Sequence, residues 1–423
     1  MPGASSTWMK QTMRESLSGL RILDLTSYLS GPFATLTLAG LGAEVIKIER
    51  RDGGDPSRAF PPYCGATGTA LRETASADDE SVAILKRNRG KKSLTLNLEV
   101  TEGKALFLRL VKKADVVIEN LAPGILEKWG LGYPVLSDTN PRIVLCSISG
   151  FGRTGPKAQL PAFDPIVQAS SLTMATNGYS DLPPTRTGIS FGDTVPALYA
   201  VIGILAALQE RERTHRGRVV DIAMHDSLVA MLMVEPVEAQ VEWGFPLRTG
   251  SRIPRLTPCN VYRCRDGHVA LNAAPPRLWK RLAELIGKPE LRDPQLAPLA
   301  ARLVKQDWID QEVAKWAETH TVDELMAKTG KQGVPCMRVM ETLKELIDEP
   351  SLKARSMLHP LEHPLTGVLP GLFAPSVPVM SPGEEYPPLT RAPLLGEHTA
   401  DILTRELGLT AGEIRDLEVR QII

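Results

Sequence analysis

The sequence predicts a doubly wound α/β fold, in which a mostly parallel sheet carries helices on both faces. Over the first 220 residues, short apolar runs typical of buried strands alternate with segments of helical periodicity. This alternation is the pattern of a parallel sheet with crossover helices. The composition, 43% hydrophobic and 23% charged in 423 residues, suits a globular chain of two or three domains.

The first three elements set the Rossmann-like order. A buried strand at 21–25 is followed by a helix from about 30 to 41, with Pro32 in its first turn and Gly42 at its end. The next strand is at 44–48. A strand, a helix and a strand in this order imply a parallel pair with a right-handed crossover. No G-x-G-x-x-G follows the first strand, so a dinucleotide site is not indicated.

The rest of the first domain continues the pattern after a long polar stretch. Residues 49–81 are rich in Gly, Pro and Ala and predict a surface loop. Thr101 is the predicted N-cap of a helix at 102–113. Ligands of such sheets bind at the carboxyl ends of the strands, so the loops at 26–31, 49–58 and 119–124 are candidates. Further strands are predicted at 93–98, 116–118, 143–148 and 219–223.

The second half predicts a smaller α/β domain and a return to the first. An Asp266-Gly267 turn predicts a hairpin at 260–273. The predicted domains are a flexible arm at 1–17, a large domain at 18–225, a linker and small domain at 226–330, and a return to the large domain at 331–423. Further predicted elements are helices at 277–286, 306–319, 321–328 and 400–407, a strand at 334–339, a helix ending near 347, and a Pro/Gly-rich region at 356–390.

Composition excludes several functional classes. Lys plus Arg and Asp plus Glu both number 49, and aromatic residues make up only 5%, so no nucleic-acid partner is expected. Polar residues interrupt the apolar runs, which predicts no membrane association. Five scattered cysteines indicate a reducing, cytoplasmic compartment. Cys259, Cys264 and His268 lack a fourth ligand at a standard zinc spacing, so no metal site is predicted.

The stretch 161–213 contains the strongest catalytic candidate, Asp193. It directly precedes a long apolar run, where an Asp is a natural helix N-cap. It could equally be a nucleophile, because a carboxylate in a partly dry pocket can attack an acyl group and form a mixed anhydride. The two interpretations are compatible, since amides at a helix end would also hold the carboxylate ionised. Asp164, in AFDPIVQA, is the second acid in apolar surroundings.

Ordered motifs along nearly the whole chain resemble the class III CoA-transferases, the formyl-CoA transferase and carnitine CoA-transferase family of CaiB/BaiF type. The matching stretches are GLRILDLTSYLSGPFATLTLAGLGAEVIKIER (19–50), GGD-x-x-R (53–58), KKADVVIENLAPG (112–124), SISGFGRTGP (147–156), AFDPIVQA (162–169), GD (192–193), RGRVVDIAM (216–224) and RAPLLGEHT (391–399).

The resemblance implies a CoA-transferase in which Asp193 is the nucleophile and acyl-CoA and a small carboxylic acid are the substrates. It also implies an interlocked homodimer, with no metal and no permanently bound cofactor. Arg50, Lys91 and Lys128 are the implied partners of the CoA phosphates, because cations pair with phosphate. The other implied CoA contacts are Tyr28, Leu29, Leu96, Asn97, Leu98, Glu99, Asn120, Leu121, Ala122 and Asp164.

Three departures from the family pattern limit what carries over. Leu29 replaces a Gln that lies near the oxalyl group, which argues against oxalate as acceptor. Gly90 replaces the second Asn of an NRNK-like motif, and the small domain has no run of four glycines. An α-methylacyl-CoA racemase is the main alternative, but Phe163 stands where its acid–base His would be, and Phe cannot transfer a proton. A non-catalytic CoA-binding protein is a further alternative, against which Asp193 argues.

Overall fold

The computed structural model describes residues 12–66, 68–71, 78–384 and 388–423. The strands in this part of the chain are β1 Arg21–Asp24, β2 Glu44–Glu49, β3 Tyr63–Gly65, β4 Gly68–Ala70, β5 Glu80–Ser81, β6 Lys91–Thr95, β7 Val116–Glu119, β8 Val144–Ser149, β9 Val219–Ala223, β10 Cys259–Cys264, β11 Gly267–Asn272, β12 Cys336–Arg338, β13 Leu358–His363 and β14 Gly367–Pro375. The helices are α1 Ser30–Gly40, α2 Val82–Arg87, α3 Thr101–Val111, α4 Ile125–Lys128, α5 Tyr133–Thr139, α6 Asp164–Ser170, α7 Thr173–Thr176, α8 Phe191–Thr214, α9 Met224–Leu232, α10 Val237–Glu242, α11 Pro276–Ile286, α12 Leu299–Val304, α13 Gln306–Glu318, α14 Val322–Lys331, α15 Leu343–Asp348, α16 Pro350–Ala354, α17 Thr399–Leu407 and α18 Ala411–Val419.

A six-stranded parallel sheet organises the first part of the chain. Its strand order is β6-β2-β1-β7-β8-β9, and every neighbouring pair is parallel. Counted in chain order within this sheet, that is 3-2-1-4-5-6, the order of the doubly wound dinucleotide-binding folds. The predicted doubly wound parallel sheet is therefore confirmed. The order reverses between β1 and β7, which makes the gap between their carboxyl ends the topological switch point.

Both faces of this sheet are covered, as parallel strands require. Successive residues of β1 point to opposite sides, so Leu23 joins one apolar cluster and Ile22 the other. Phe107 of α3 packs in the first cluster, together with apolar residues of α17 and α18. Leu38 of α1 and Ile204 of α8 pack in the second.

Helix α8 is the longest described helix and packs one side against the core of this part. It contacts α1, β8 and β9, and Ala197, Ala200 and Ile204 are fully buried. Among the described helices it is the one whose length and composition would suffice to cross a bilayer, although the sequence predicted no run of that kind. Burial against α1 and the sheet accounts for the apolar residues on one side of this helix, whereas Leu198 and Ile202 on the rest of it are exposed.

The sequence prediction of a surface loop at 49–81 is wrong for much of that segment. A 3₁₀ turn, Pro56–Ala59, is followed by a small antiparallel sheet in the order β4-β3-β5. Tyr63 and Cys64 are buried, and Cys64 packs with Leu361 of β13. A sequence-distant hairpin therefore supplies the cover that local composition could not reveal. Residues 67 and 72–77 of the predicted loop lie outside the described residues.

Smaller differences affect element ends. The strand predicted at 93–98 is β6, which runs from Lys91 to Thr95. The two lysines at its start do not fit the apolar pattern by which a buried strand is predicted. Helix α3 begins at Thr101 itself, and its cap residue is Val100, so Thr101 is not the N-cap. The described end of the predicted arm forms a 3₁₀ turn, Met13–Glu15, and Leu17 packs against the core.

The chain divides into two compact units. Unit 1 comprises the described residues as far as Ser171, then Ile189–Leu228 and Glu349–Ile423, and unit 2 comprises Leu172–Gly188 and Val229–Asp348. The predicted second domain at 226–330 falls within unit 2 from Val229 onward, and unit 2 continues to Asp348. It also includes Leu172–Gly188, a segment that the sequence analysis placed in the first domain.

Unit 2 has its own antiparallel sheet in the order β10-β11-β12. Cys264 pairs with Gly267, so the predicted hairpin turns at residues 265–266, one position earlier than predicted. Arg302 is fully buried there, with its guanidinium donating to the carbonyls of Thr257, Leu296, Ala297 and Ala274 and stacking on Trp279. This guanidinium ties together chain segments that form no regular sheet with one another.

Candidate active site

A cavity of about 710 Å³ opens at the carboxyl ends of β1, β2, β6 and β7. It is formed by the loops that follow these four strands, and it therefore lies at the switch point of the sheet. Most of the CoA contacts implied by the sequence line it. They are Tyr28, Arg50, Leu96, Asn97, Leu98, Glu99, Asn120, Leu121 and Ala122.

Arg50 and Arg51 supply unpaired positive charge at the cavity. Both side chains are exposed, and neither forms an ion pair in the described part of the chain. Arg420 also lines the cavity but is paired with Asp416 and Glu102. The sequence analysis named Arg50 and missed the other two. Arg51 could have been inferred from its place beside Arg50, whereas nothing in the local pattern indicates that the C-terminal segment reaches this cavity.

The side-chain amide of Asn120 is used to join two loops of the cavity wall and is not free to bind a ligand. Its Oδ1 accepts the N–H of Ser27 at 2.8 Å, and its Nδ2 donates to the carbonyl of Ser27, also at 2.8 Å. The loop after β7 is thereby joined to the loop after β1. Since both polar atoms of the amide are used, the contribution of Asn120 to a ligand is through its backbone and its position.

Tyr28 has an unusual backbone conformation that two charged side chains hold in place. Its φ is 67°, in the left-handed region that non-glycine residues seldom adopt. Oδ1 of Asp55 accepts its N–H at 3.1 Å, and Nη1 of Arg87 donates to its carbonyl at 3.0 Å. Asp55 is itself held by the ammonium of Lys47 at 3.1 Å. The buried Lys47–Asp55 ion pair and the Arg87 guanidinium therefore hold the backbone from which the Tyr28 ring extends.

The prediction that Lys91 contacts a CoA phosphate is wrong. Its side chain is fully buried beneath the sheet end, with Nζ 3.2 Å from Oδ2 of Asp24, 3.0 Å from the carbonyl of Pro32 and 2.9 Å from Oδ1 of Asn88. All three ammonium hydrogens have partners, so none remains for a ligand. Burial opposes ionisation of Asp24, but the charges of Lys91 and Lys47 bring its pKa down to about 2.

Three other predicted contacts, Leu29, Lys128 and Asp164, lie off the cavity wall. Leu29 is the half-buried residue before the first turn of α1. Lys128 is exposed at the end of α4. Asp164 is buried at the start of α6, and none of the three lines the cavity. Their roles toward CoA stay predictions of the family resemblance.

Asp193 is the third residue of α8 and not its N-cap, which is Ser190. The capping interpretation is therefore wrong. A different carboxylate serves the start of this helix: Oδ1 of Asp164 accepts the N–H of Gly192 at 2.8 Å and the side-chain amide of Gln168 at 2.8 Å. The carboxylate of Asp193 makes no hydrogen bond to the described residues, so its oxygens are available for chemistry.

Gly192 permits the close approach of the two acidic residues. A Cβ at this position would lie 2.6 Å from a methyl carbon of Val167 and 2.9 Å from Oδ1 of Asp164. Any other side chain would push α6 away from the start of α8. The GD pair at 192–193 thus has a steric reason for its glycine.

The environment of Asp193 raises the pKa of its carboxyl group to about 6. Burial is the largest cause, and the negative charge of Asp164 adds to it, while the positive charge of Arg87 opposes both. Contrary to the expectation that helix-end amides hold the carboxylate of Asp193, it accepts no hydrogen bond from the described residues, and Asp164 occupies the amide of Gly192. At neutral pH Asp193 is mostly ionised, and it is more basic than an ordinary aspartate.

Tyr28 links the cavity wall to α6, whose Asp164 binds the amide of Gly192 just before Asp193. Its ring packs edge-on against Phe163, with the ring centroids 5.6 Å apart, and Phe163 directly precedes Asp164. The site thus combines a basic carboxylate with a cavity large enough for much of a nucleotide-sized ligand. Within residues 12–66, 68–71, 78–384 and 388–423, no group of three His, Cys, Asp or Glu side chains is placed to hold a metal ion.

Comparisons with known proteins agree on one family. The model of CoA-transferase family III matches residues 17–399. The chain is 36% identical to succinyl-CoA--D-citramalate CoA-transferase of Chloroflexus aurantiacus over 96% of its length and 98% of that protein. It is 34% identical to formyl-CoA:oxalate CoA-transferase of Streptomyces avermitilis, with 97% and 100% covered. A crystal structure of a CAIB/BAIF family protein from Brucella suis superimposes with a TM-score of 0.77 at 30% identity, covering 94% of this chain and all of the other.

Proposed function

The chain belongs to CoA-transferase family III, which confirms the resemblance carried by its motifs, and we propose that it transfers CoA between an acyl-CoA and a carboxylic acid through covalent intermediates on Asp193. Membership makes it an enzyme of this class. The proposal concerns the nucleophile, the intermediates and the place where CoA binds.

Four steps account for the exchange. The Asp193 carboxylate attacks the thioester carbonyl of the donor, forming a mixed anhydride and releasing CoA thiolate. The thiolate attacks the aspartyl carbonyl, giving an aspartyl-CoA thioester and the free donor acid. The acceptor carboxylate attacks this thioester, forming a second anhydride and releasing the thiolate again. The thiolate then attacks the acceptor's acyl carbon, which yields the new acyl-CoA and regenerates the Asp193 carboxylate.

The observation that carries the proposal is the placement of Asp193. Asp193 has a carboxylate without hydrogen-bond partners among the described residues and with a raised pKa, and it follows the residue whose amide binds Asp164, next to the Phe163 ring that packs on Tyr28 of the cavity wall. Such a carboxylate is both exposed enough to attack and basic enough to be a good nucleophile. The cavity would hold CoA, with Arg50 and Arg51 beside its phosphates.

The racemase alternative lacks a proton-transfer group at the required place. Phe163 stands where that activity needs an acid–base side chain, and its ring packs against Tyr28. The proposed acceptors are small carboxylic acids. They include dicarboxylates, because the names of two relatives contain citramalate and mesaconate.

A substrate screen comes first. Each acyl-CoA of a donor panel is crossed with a panel of carboxylic acids, and the products are identified by mass spectrometry.

Trapping with an active donor then tests the nucleophile. Hydroxylamine should convert acylated Asp193 to a hydroxamate in the peptide that contains it. Asp193→Asn should lose transfer by several orders of magnitude, because an amide cannot act as the nucleophile. Asp401→Asn is the matched control, since Asp401 is the third residue of α17 and exposed. A hydroxamate on Asp164 instead would overturn the assignment.

The homodimer and the cytoplasmic location also stay predictions. The family resemblance implies an interlocked dimer, which should not dissociate on dilution without unfolding. Light scattering at decreasing protein concentration measures this directly, and a monomer at micromolar concentration would contradict it.

A further inference from the structure

Arg87 is a charged residue near Asp193 that neither the sequence motifs nor the mechanism above uses. It ends α2 and is half-buried. Its guanidinium makes one hydrogen bond to the described residues, the 3.0 Å bond from Nη1 to the carbonyl of Tyr28. No carboxylate of the described chain lies within ion-pair distance of it. Four of its five N–H groups therefore have no acceptor from these residues.

A half-buried cation without a counter-ion is costly unless an anion reaches it during function. Arg87 is in the right place for this. Through the carbonyl of Tyr28 it contacts the wall of the cavity, and the Tyr28 ring leads through Phe163 to the start of α8. Its charge is felt by Asp193, whose pKa it lowers against the effect of burial. Asp55 is the other acid whose charge acts on Arg87.

We propose that Arg87 binds the free carboxylate of the acid substrate beside Asp193, holding the donor acid as it leaves and the acceptor acid as it enters. The inference rests on the proposed function, because only a CoA transfer brings a second carboxylate to this place. A planar guanidinium offers a carboxylate two parallel N–H groups, which fixes its orientation as well as its position.

The assignment explains how the charge of Arg87 stays compensated through the cycle. When Asp193 is a free carboxylate, Arg87 is its neighbouring cation. When Asp193 carries CoA as a neutral thioester, the carboxylate of the acid takes the place of that charge. The acid oxygen that attacks the aspartyl carbonyl then comes from an anion already held at the site, and no proton has to move in this step.

The test compares Arg87→Gln and Arg87→Lys with Lys86→Gln, a charge-removing control on the exposed neighbour in the same helix. The substrates are the acyl-CoA and acid of the panel pair with the highest kcat/KM in the wild-type enzyme. Arg87→Gln should raise the KM of the acid roughly 10- to 100-fold, the loss typical of a charge-assisted pair, and leave the KM of the acyl-CoA within about twofold. Arg87→Lys keeps the positive charge but lacks the two parallel N–H groups. Its KM for the acid should therefore lie between those of the wild type and Arg87→Gln.

A binding measurement and the lysine variant distinguish the possible failures. Calorimetric binding of free CoA should change far less than the KM of the acid in Arg87→Gln, because Asp55 still accepts the N–H of Tyr28 when the Arg87 bond is lost. If CoA binding weakens and the KM of the acid does not rise, Arg87 only supports Tyr28 and the proposal is overturned. Should Arg87→Gln not fold, Arg87→Lys decides, because an unchanged KM for the acid in that variant also refutes the forked contact. Absence of transfer in the wild-type enzyme with every pair would refute the proposed function itself, independently of Arg87.

Discussion

Replacing Asp193 by Asn should stabilise the protein, and the gain should depend on pH. The pKa of Asp193 lies at about 6 in the folded protein against 3.8 for an ordinary aspartate. At about 1.36 kcal/mol per unit, keeping this carboxylate ionised costs the folded state up to about 3 kcal/mol, an upper limit because the side chain still reaches water. Asn is uncharged, and the carboxylate it replaces makes no hydrogen bond to the described residues that could be lost.

The sign follows from proton linkage. Between pH 3.8 and about 6 the folded state binds more protons at Asp193 than the unfolded state does, so wild-type stability falls as pH rises through this window. The variant lacks this term. Its advantage should be near zero at pH 3.8, grow toward pH 6 and stay constant above it.

The assay is thermal unfolding by calorimetry across that pH range. At about 2.1 cal/mol/K per residue, 423 residues convert ~3 kcal/mol into a rise of about 3 °C in Tm. Asp401→Asn, at the same position of α17 but exposed, should show no stabilisation and should lose a few tenths of a kcal/mol with its Arg405 pair, 3.3 Å away. A stabilisation of Asp193→Asn that does not change with pH, or a destabilised variant, would refute the electrostatic account of this site.

Further outcomes are expected from other parts of the molecule. The kcat/KM for the acyl-CoA should rise with pH and level off above about 6, because only ionised Asp193 attacks; a flat pH–rate profile from 5 to 7 would contradict this. Arg50→Ala should weaken CoA binding several-fold and reduce its salt dependence in calorimetric titrations at low and high ionic strength; unchanged affinity would remove Arg50 from the site. Asn120→Ala should cost about 1–3 kcal/mol of unfolding free energy, since the backbone of Ser27 loses both partners, and urea denaturation measures this loss. Arg302→Lys should cost about 3 kcal/mol or more, because the buried carbonyls of unit 2 lose their shared donor, and a variant as stable as the wild type would refute the structural role.

The sequence was sufficient for the sheet and for most of the cavity wall. Buried parallel strands are short apolar runs, and the loops after them are where ligands bind, so Arg50 and Asn120 could be placed at the site from the sequence pattern, whereas Asn97 was indicated by the family resemblance alone. The hydrogen-bond partners of these side chains could not be predicted. The amide of Asn120 binds Ser27, and this bond depends on a contact between loops 93 positions apart.

Charged residues were the main source of error. Lys91 sits in a motif rich in basic residues, where a solvent-facing or phosphate-facing lysine is the natural expectation, yet it is buried in an ion pair with Asp24. Arg87 lies four positions away and is the residue left without a counter-ion. Sequence patterns give the spacing of charges but not their desolvation, which depends on the packing of α1 and α2. The same limit explains why Asp193, rather than Asp164, was interpreted as the cap of α8.

The hydrogen bond from Gly192 to Asp164 spans 28 positions of sequence at 2.8 Å. It clamps both ends of the intervening chain, which includes Leu172–Gly188, so that this stretch is already a closed loop. The entropy of closing a loop grows only with the logarithm of its length, and doubling it costs about 0.6 kcal/mol. Residues 181–184 are exposed within the loop. Its length can therefore vary, by natural insertion or by an engineered reporter placed there, while the spacing of the two carboxylates stays the same.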